Sequence, residues 1–440
     1  MYLDLVGCRL NQSEIEIYAR QFHAAGHTLV SHPEEADIAV INTCAVTAAA
    51  ESDSRQKARQ AARAGVREIV LTGCWATLYP KEAASLPGVS QVVPNSLKEQ
   101  LVPNLLRIPL EEFDLEPLAR QPVPGARLRT RAFIKVQDGC DNHCTFCITT
   151  IARGKSRSRP LSEIIREIQQ ALSGEAHEYK AKEIVLTGVH LGSWGQDFSP
   201  RLHLRHLIQA ILAETDAPRL RLSSLEPWDL DEEFFNLWEN PRLCRHIHLP
   251  LQSGCAQTLR RMGRKTTPQS FARLVSLARS VCPDIAITTD IIAGFPGESE
   301  AEFAESLEFV QAMEFAGGHV FTFSERPGTA AARMPGQVPM AIRKERNAKI
   351  RQVLEESAQR YRARFLGQTL PVLWESAFHL APQTWLLSGL SDNYIRITAE
   401  APHPLWNQIT PVVLSELGKQ DAQGRFTTSA TIGENLYSKS

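Results

Sequence analysis

The strongest constraint on this chain is an alternation of short apolar runs with helix-period segments, sustained from the first residue to about Ser324. Such runs build parallel sheets, because two parallel strands need a crossover and a helix is the compact way to make one. Over residues 1–95 the pattern predicts strands at 2–6, 37–41, 68–71 and 89–93, with helices at 13–24 and 51–64. An open parallel α/β domain follows. Residues 96–125 lose the alternation and end in a proline-containing stretch, so they are expected to be a linker.

A second series occupies residues 126–365, with strands expected at 132–137, 183–187, 219–223, 246–249, 286–292 and 318–323 and helices between them. Six βα units in succession favour a barrel or partial barrel over an open sheet, although periodicity does not choose between them. Residues 340–365 form one long amphipathic helix, its apolar Ile350, Val353, Leu354, Tyr361 and Phe365 at helical spacing. From 366 to 435 the character changes to short strands and turns, as in a small β-barrel.

Composition limits the functional classes. A hydrophobic fraction of 43% and a charged fraction of 22% suit a globular protein. No apolar stretch is long enough for a membrane helix and no export signal opens the chain, so no membrane partner and a cytoplasmic location are expected. The net charge of −1 conceals a basic segment: residues 126–160 carry eight Lys/Arg against two Asp. Within it Arg153, Lys155, Arg157 and Arg159 are candidates for contact with RNA phosphates.

Nine cysteines in a chain expected to remain in a reducing compartment read as metal ligands or reactive thiols rather than disulfides. Cys140, Cys144 and Cys147 form a C-x3-C-x2-C loop directly after the first strand of the second series. Three thiolates on one loop can grip three irons of a 4Fe–4S cube and leave the fourth open. A structural zinc site wants four ligands, and His143 is poorly placed within the loop to be one. Cys8, Cys44 and Cys74 are dispersed, yet each follows a predicted strand. In a parallel sheet those ends share one edge, where open α/β folds hold ligands. A single such cysteine reads as core packing; three suggest a second metal cluster. Cys244, Cys255 and Cys282 share no spacing and are expected to be structural.

These residues resemble the radical-SAM methylthiotransferases. The likeness covers nearly the whole chain in order: GCRLNQSE, VINTCAVT and LTGC around the dispersed cysteines, QDGCDNHCTFC around the clustered ones, then LTGVHLGSWG, RLSSLEP, HIHLPLQSGC and TTDIIAGFPGE. The terminal barrel is similar to the RNA-binding TRAM domain of that family. ARGKSRSR and TGVHLGSWG look most like the subgroup acting on N6-threonylcarbamoyladenosine in tRNA. Arg9, Thr149–Thr150 and Cys255 depart from the usual residues, but none is among the six cysteines.

The resemblance implies two 4Fe–4S clusters. One, on Cys140, Cys144 and Cys147, binds S-adenosylmethionine (SAM) and cleaves it to a radical. The other, on Cys8, Cys44 and Cys74, carries the sulfur, which a second SAM methylates. Thr187, Gly188, His190, Ser224, Glu226, Gln252, Asp290 and Gly294, at or beyond strand ends, are then the candidate SAM contacts. Gly188 and Gly294 also fit plain turn positions and Glu226 a helix cap. Expected partners are tRNA and an electron donor such as flavodoxin or ferredoxin, and a monomer is expected. Within the family, the alternatives are isopentenyladenosine in tRNA or an aspartate of a ribosomal protein. Outside it, the alternative is a zinc-stabilised RNA-binding protein without catalysis.

Overall fold

The computed structural model describes residues 1–109, 130–173, 180–420 and 426–432, with side chains left out at 419–427 and 432. Four parallel strands open the chain: β1 (Tyr2–Leu5), β2 (Ile38–Thr43), β3 (Glu68–Gly73) and β4 (Val89–Val93), side by side in chain order. Both faces are covered. Ile15, Tyr18 and Phe22 of the helix Arg9–Ala24 pack on Val40, Val70 and Val93; Ala58 and Ala61 of the helix Ala48–Arg63 pack on Ala39, Ile41 and Leu71. That two-sided burial is why these strands are almost wholly apolar rather than alternating. The first helix begins immediately after Cys8, and the second is capped by Thr47, whose Oγ1 accepts the Ala50 N–H at 3.1 Å.

The central strands are β5 (Arg131–Lys135), β6 (Gln137–Asp138), β7 (Arg157–Ser158), β8 (Glu183–Thr187), β9 (Leu220–Leu222), β10 (His246–His248), β11 (Ala286–Ala293) and β12 (Gly317–Thr322). β5, β8 and β9 form one parallel sheet and β10, β11 and β12 another. Parallel bridges Leu220–Leu243 and Ser224–His248 connect the two, so the six run in chain order as a partial barrel. The strand expected at 132–137 is broken. β5 ends at Lys135, and β6 turns aside to pair antiparallel with β7. The break lies at Val136, whose N–H goes to Thr187 while its carbonyl accepts from Arg159. Between β9 and β10, where a helix is expected, the chain makes one α turn, Glu232–Phe235, continued as a 3-10 turn.

The long helix is Met340–Ala363. Beyond it β13 (Thr369–Ala381), β14 (Thr384–Ser391), β15 (Arg396–Ala401), β16 (Ile409–Gln420) and β17 (Phe426–Ile432) close a barrel in the order β13-β14-β15-β17-β16. Of the expected linker, residues 96–109 hold the short helix Leu101–Leu106. The rest, with residues 126–129 of the second expected domain and 433–435 of the third, lies outside the described residues.

The parts are tied by buried charge. Arg221, fully buried on β9, donates from Nε and Nη2 to the two oxygens of Glu183 at 2.6 and 3.0 Å and reaches the Ser391 and Asp392 carbonyls of the barrel. Arg219 reaches the Pro371 and Leu390 carbonyls. Arg9, beside Cys8, donates to the Tyr394 hydroxyl at 2.7 Å, and Tyr394 stacks on His246. No described helix is long and apolar enough to cross a membrane.

Candidate functional site

Cys8 follows β1, Cys44 follows β2, and Cys74 starts the short helix after β3, so all three lie at the carboxyl edge of the first sheet. Close backbone approach gathers them. A Cβ on Gly7 would fall 2.7 Å from both Cβ and Sγ of Cys44. Gly73, at φ +93°, would carry its Cβ 2.3 Å from the Thr43 carbonyl oxygen, so only glycine fits before Cys74. Burial, with the neighbouring Cys8 and Cys74, pushes the Cys44 thiol up to about 11. Mutual repulsion of this kind disfavours three free thiolates and favours a cationic metal that neutralises them.

The second set is similar in kind. Gly139, at φ +72°, precedes Cys140, and a Cβ there would lie 1.9 Å from the Lys155 carbonyl oxygen, closing the loop against β7. The Cys140 N–H donates to the Gly154 carbonyl at 3.0 Å. Thr145 is pinned to Met262, Arg261 and Ala331. Burial raises the Cys144 and Cys147 thiols; Cys147 adds to the first and Cys140 to the second. Among the described residues no three His, Cys, Asp or Glu side chains gather tightly enough for one metal ion. A tetrahedral zinc holds thiolates about 2.3 Å from a single centre, so the zinc reading gains no geometric support.

The two sets are neighbours. The helix Thr149–Arg153, two residues after Cys147, lies against Cys74: Asn95 donates to the Ala152 carbonyl at 2.9 Å and lies 3.8 Å from the Cys74 sulfur. Arg153 itself is a correction to the sequence reading. It is buried, not turned to an RNA surface. Its Nη1 donates to Glu14 and Asp138, both at 3.0 Å, and its Nη2 to Asn11 Oδ1 at 2.8 Å. Asn11 in turn donates to the Val6 and Thr43 carbonyls, just before Cys8 and Cys44. Lys98 pairs with the same Glu14 and Asp138. Arg159 is also occupied: its Nη1 donates to Glu167 and to the Lys135 carbonyl, each at 2.7 Å. Lys155 and Arg157 are the two of the four that stand exposed.

The candidate SAM contacts fall into four groups. Thr187, Gly188 and His190 end β8 beside the cysteine loop. His190 Nε2 meets Asp229 Oδ2 at 2.6 Å, and its Nδ1 lies 3.4 Å from Asn142. Despite burial, hydrogen bonds to Asp229 and the Cys140 sulfur raise its pKa to about 10, so the ring is cationic at neutral pH. Glu226 accepts both arms of Arg264 at 3.0 and 2.6 Å, and that guanidinium lies 3.8 Å from Cys144 Sγ; its carboxylate caps no helix. Ser224, Gln252 and Asp290 lie on the carboxyl ends around β9 to β11. Ser224 is exposed and Gln252 sits in a left-handed turn. Asp290 Oδ2 pairs with His248 at 3.2 Å, while its Oδ1, Ser223 Oγ and Trp228 Nε1 are buried without a hydrogen-bond partner among the described residues. Buried polar atoms left unpaired at a strand edge fit a polar ligand that completes them. Gly294 directly follows β11; it packs on the Arg343 side chain and donates its N–H to Glu298.

Sequence reasoning missed Asn11, Glu14, Lys98, Asp138, Asp229 and Arg264. Asn11 and Glu14 stood inside GCRLNQSE, one helical turn past Cys8, which was the available signal. Cys244, Cys255 and Cys282 join neither set. Cys244 is buried beside Glu183 and Arg221, which fits the structural role expected of it.

Comparison with known proteins matches two stretches of the chain. The model of the Uncharacterized protein family UPF0004 matches residues 1–94, and that of the Radical SAM superfamily matches 134–310. The Threonylcarbamoyladenosine tRNA methylthiotransferase MtaB of Thermotoga maritima is 37% identical over 402 residues, 90% of each chain. The tRNA-2-methylthio-N(6)-dimethylallyladenosine synthase of Caldicellulosiruptor saccharolyticus is 33% identical over 384 residues, 83% of this chain and 80% of the relative. The radical S-adenosylmethionine methyltransferase TsrM of Kitasatospora setae, solved with tryptophan and a SAM analogue, superposes with a TM-score of 0.57 over 75% of this chain and 74% of that one. At 16% identity it speaks for the fold alone. Identity of this extent over nearly the whole length places the chain in the radical-SAM methylthiotransferase family.

Proposed function

We propose that this enzyme methylthiolates C-2 of N6-threonylcarbamoyladenosine on the 3′ side of a tRNA anticodon, giving 2-methylthio-N6-threonylcarbamoyladenosine. The observation that carries the reading is the pair of cysteine sets set side by side by Arg153 and Asn95. Cys140, Cys144 and Cys147 would hold the 4Fe–4S cluster that engages SAM; Cys8, Cys44 and Cys74 would hold the auxiliary one. The C-2 hydrogen of adenine is not acidic enough for a side-chain base to remove. When bound, SAM and the two clusters supply the radical and the methylated sulfur that the reaction needs.

The chain's own groups position and tune. His190, raised despite its burial by hydrogen bonds to Asp229 and the Cys140 sulfur, stands beside the cysteine loop, and Arg264 favours the Cys144 thiolate against the burial that raises it. Asp290 Oδ1, Ser223 Oγ and Trp228 Nε1 offer an acceptor, a hydroxyl and a donor to a polar ligand at the strand edge. Glu226 is committed to Arg264, and Gly294 to packing, so neither is proposed any longer as a direct SAM contact.

A tRNA substrate agrees with the curated relatives, and the threonylcarbamoyl nucleoside with the greater identity to the relative named for it. The terminal barrel, Lys155 and Arg157 are the proposed RNA contacts outside the cleft. Cytoplasmic location, a monomeric state and reduction by flavodoxin or ferredoxin belong to the same proposal. Mass spectrometry of tRNA nucleosides from cells lacking the enzyme tests it. Loss of the 2-methylthio-threonylcarbamoyl nucleoside with accumulation of its unthiolated precursor supports the reading. Loss of the 2-methylthio-isopentenyl nucleoside instead would transfer the enzyme to the other tRNA substrate.

A further inference from the structure

A groove of about 490 Å³ runs between the exposed edge of β12, the first half of the helix Met340–Ala363 and the start of the helix Ala48–Arg63. One wall is Phe321, 41% exposed on an edge strand, with the His319 ring 6.3 Å away. The opposite wall carries Lys344, Asn347 and Arg351. Lys344 and Arg351 are exposed, and neither has an ion pair or hydrogen bond recorded among the described residues. The two other charges in the groove cancel: Glu325 pairs with Arg343, which is held by the Phe323 and Val338 carbonyls. Thr47 closes the far end, three residues after Cys44. Nearby, Arg326 donates to the Ala45 carbonyl and pairs with Glu51, fixing the end of β12 to that loop.

An uncovered aromatic face opposite two uncompensated cations, in a groove of nucleotide size, is the chemistry of single-stranded nucleic-acid binding: a ring for a base and charges for its phosphates. We propose that this groove holds the RNA strand adjoining the modified adenosine, with a base stacked on Phe321 and phosphates on Lys344 and Arg351. The proposal rests on tRNA being the substrate. It puts the strand next to the modified adenosine at the outer barrel edge, leaving the exposed Lys155 and Arg157 to other parts of the tRNA, while Arg153 and Arg159 are already paired. The groove's lining reaches Thr47, three residues after Cys44. That is where an adenosine must arrive to meet the auxiliary cysteines.

The test is fluorescence-anisotropy titration of a labelled anticodon stem-loop RNA with the full-length, anaerobically reconstituted enzyme at several salt concentrations. Phe321→Ala is expected to weaken binding about tenfold, Phe321→Tyr to restore it, and neither to change the iron content. Lys344→Gln with Arg351→Gln is expected to lower the slope of log affinity against log salt by about 1.4, at about 0.7 for each lost single-strand phosphate contact. Affinities within twofold of wild type and an unchanged slope would overturn the proposal while leaving the tRNA reading intact. If the wild type itself binds no RNA, both fall. If the variants keep RNA affinity but are reduced more slowly by flavodoxin, the groove belongs to the electron donor, which also overturns the proposal.

Discussion

Replacing Arg153 by Met separates a buried strut from a surface phosphate contact. The guanidinium touches Glu14, Asp138 and Asn11 and is buried, so the change removes a counter-charge without a large loss of volume. Its scale follows from Glu14. Complete burial alone would raise that carboxyl, yet Lys98, Arg153 and Lys135 bring it from 4.5 to about 2. At about 1.36 kcal/mol per pH unit, the surrounding cations favour the charged form by about 3 kcal/mol net. Arg153 supplies part of this, and its removal also strips Asp138 of a partner. Lys98 remains to both carboxylates, which keeps the cost at the low end of the ~3–5 kcal/mol typical of broken buried pairs. Arg153→Met should therefore destabilise by about 3 kcal/mol, lowering the melting temperature of the unit it joins by on the order of 6–12 °C. Lys98→Met should do much the same. Salt dependence of RNA binding should not change, because no phosphate reaches the guanidinium. A melting temperature within 2 °C of wild type, with the salt slope reduced by about one, would refute the reasoning and return Arg153 to the RNA surface.

Other predictions concern the joints and the cysteine loops. Glu183, fully buried against Arg221, ionises at about 2 in the fold and near 4.5 when unfolded. Its contribution is therefore complete above about pH 4.5 and is lost as pH falls toward 2. Glu183→Gln should cost about 3 kcal/mol at neutral pH and flatten that part of the acid-denaturation curve, read by tryptophan fluorescence. An unaltered curve would mean the pair does not fasten the barrel. Gly139→Ala, with nowhere to place its Cβ, should remove about half of the reconstituted iron and abolish reductive SAM cleavage, measured as 5′-deoxyadenosine. Retention of cleavage would show that the loop has room to shift. Asp290→Asn should weaken SAM binding by equilibrium dialysis about tenfold, since the amide removes the charge that the unpaired Oδ1 offers; unchanged affinity would take Asp290 out of the site.

The architecture was legible where periodicity is local. Parallel strands buried on both faces announce themselves as apolar runs, and the sequence alone places the cysteines at their ends on one sheet edge. β17 was not legible: FTTSATI holds two large apolar residues among threonines and serines, and only the partners β15 and β16 make it a strand. The break at Val136 was hidden because residues 132–137 read as one run, whereas β8 and Arg159 divide its backbone hydrogen bonds between two sheets. Arg153 was misread because its neighbours in sequence are cationic and two of them, Lys155 and Arg157, are exposed. Its partner Glu14 lies 139 residues away, a distance no local charge pattern can span. Glycines 73 and 139 were visible letters, but their necessity depends on the carbonyls that face them.

The central claim is that the two cysteine sets hold separate clusters. Iron and labile sulfide per chain, after anaerobic reconstitution, test it most directly in wild type and in a Cys8→Ala, Cys44→Ala, Cys74→Ala triple variant. The account predicts about eight irons in the first and about four in the second, with SAM cleavage retained and methylthiolation lost. About four irons in both would contradict it, leaving the dispersed cysteines without a cluster and the proposed sulfur source without a place.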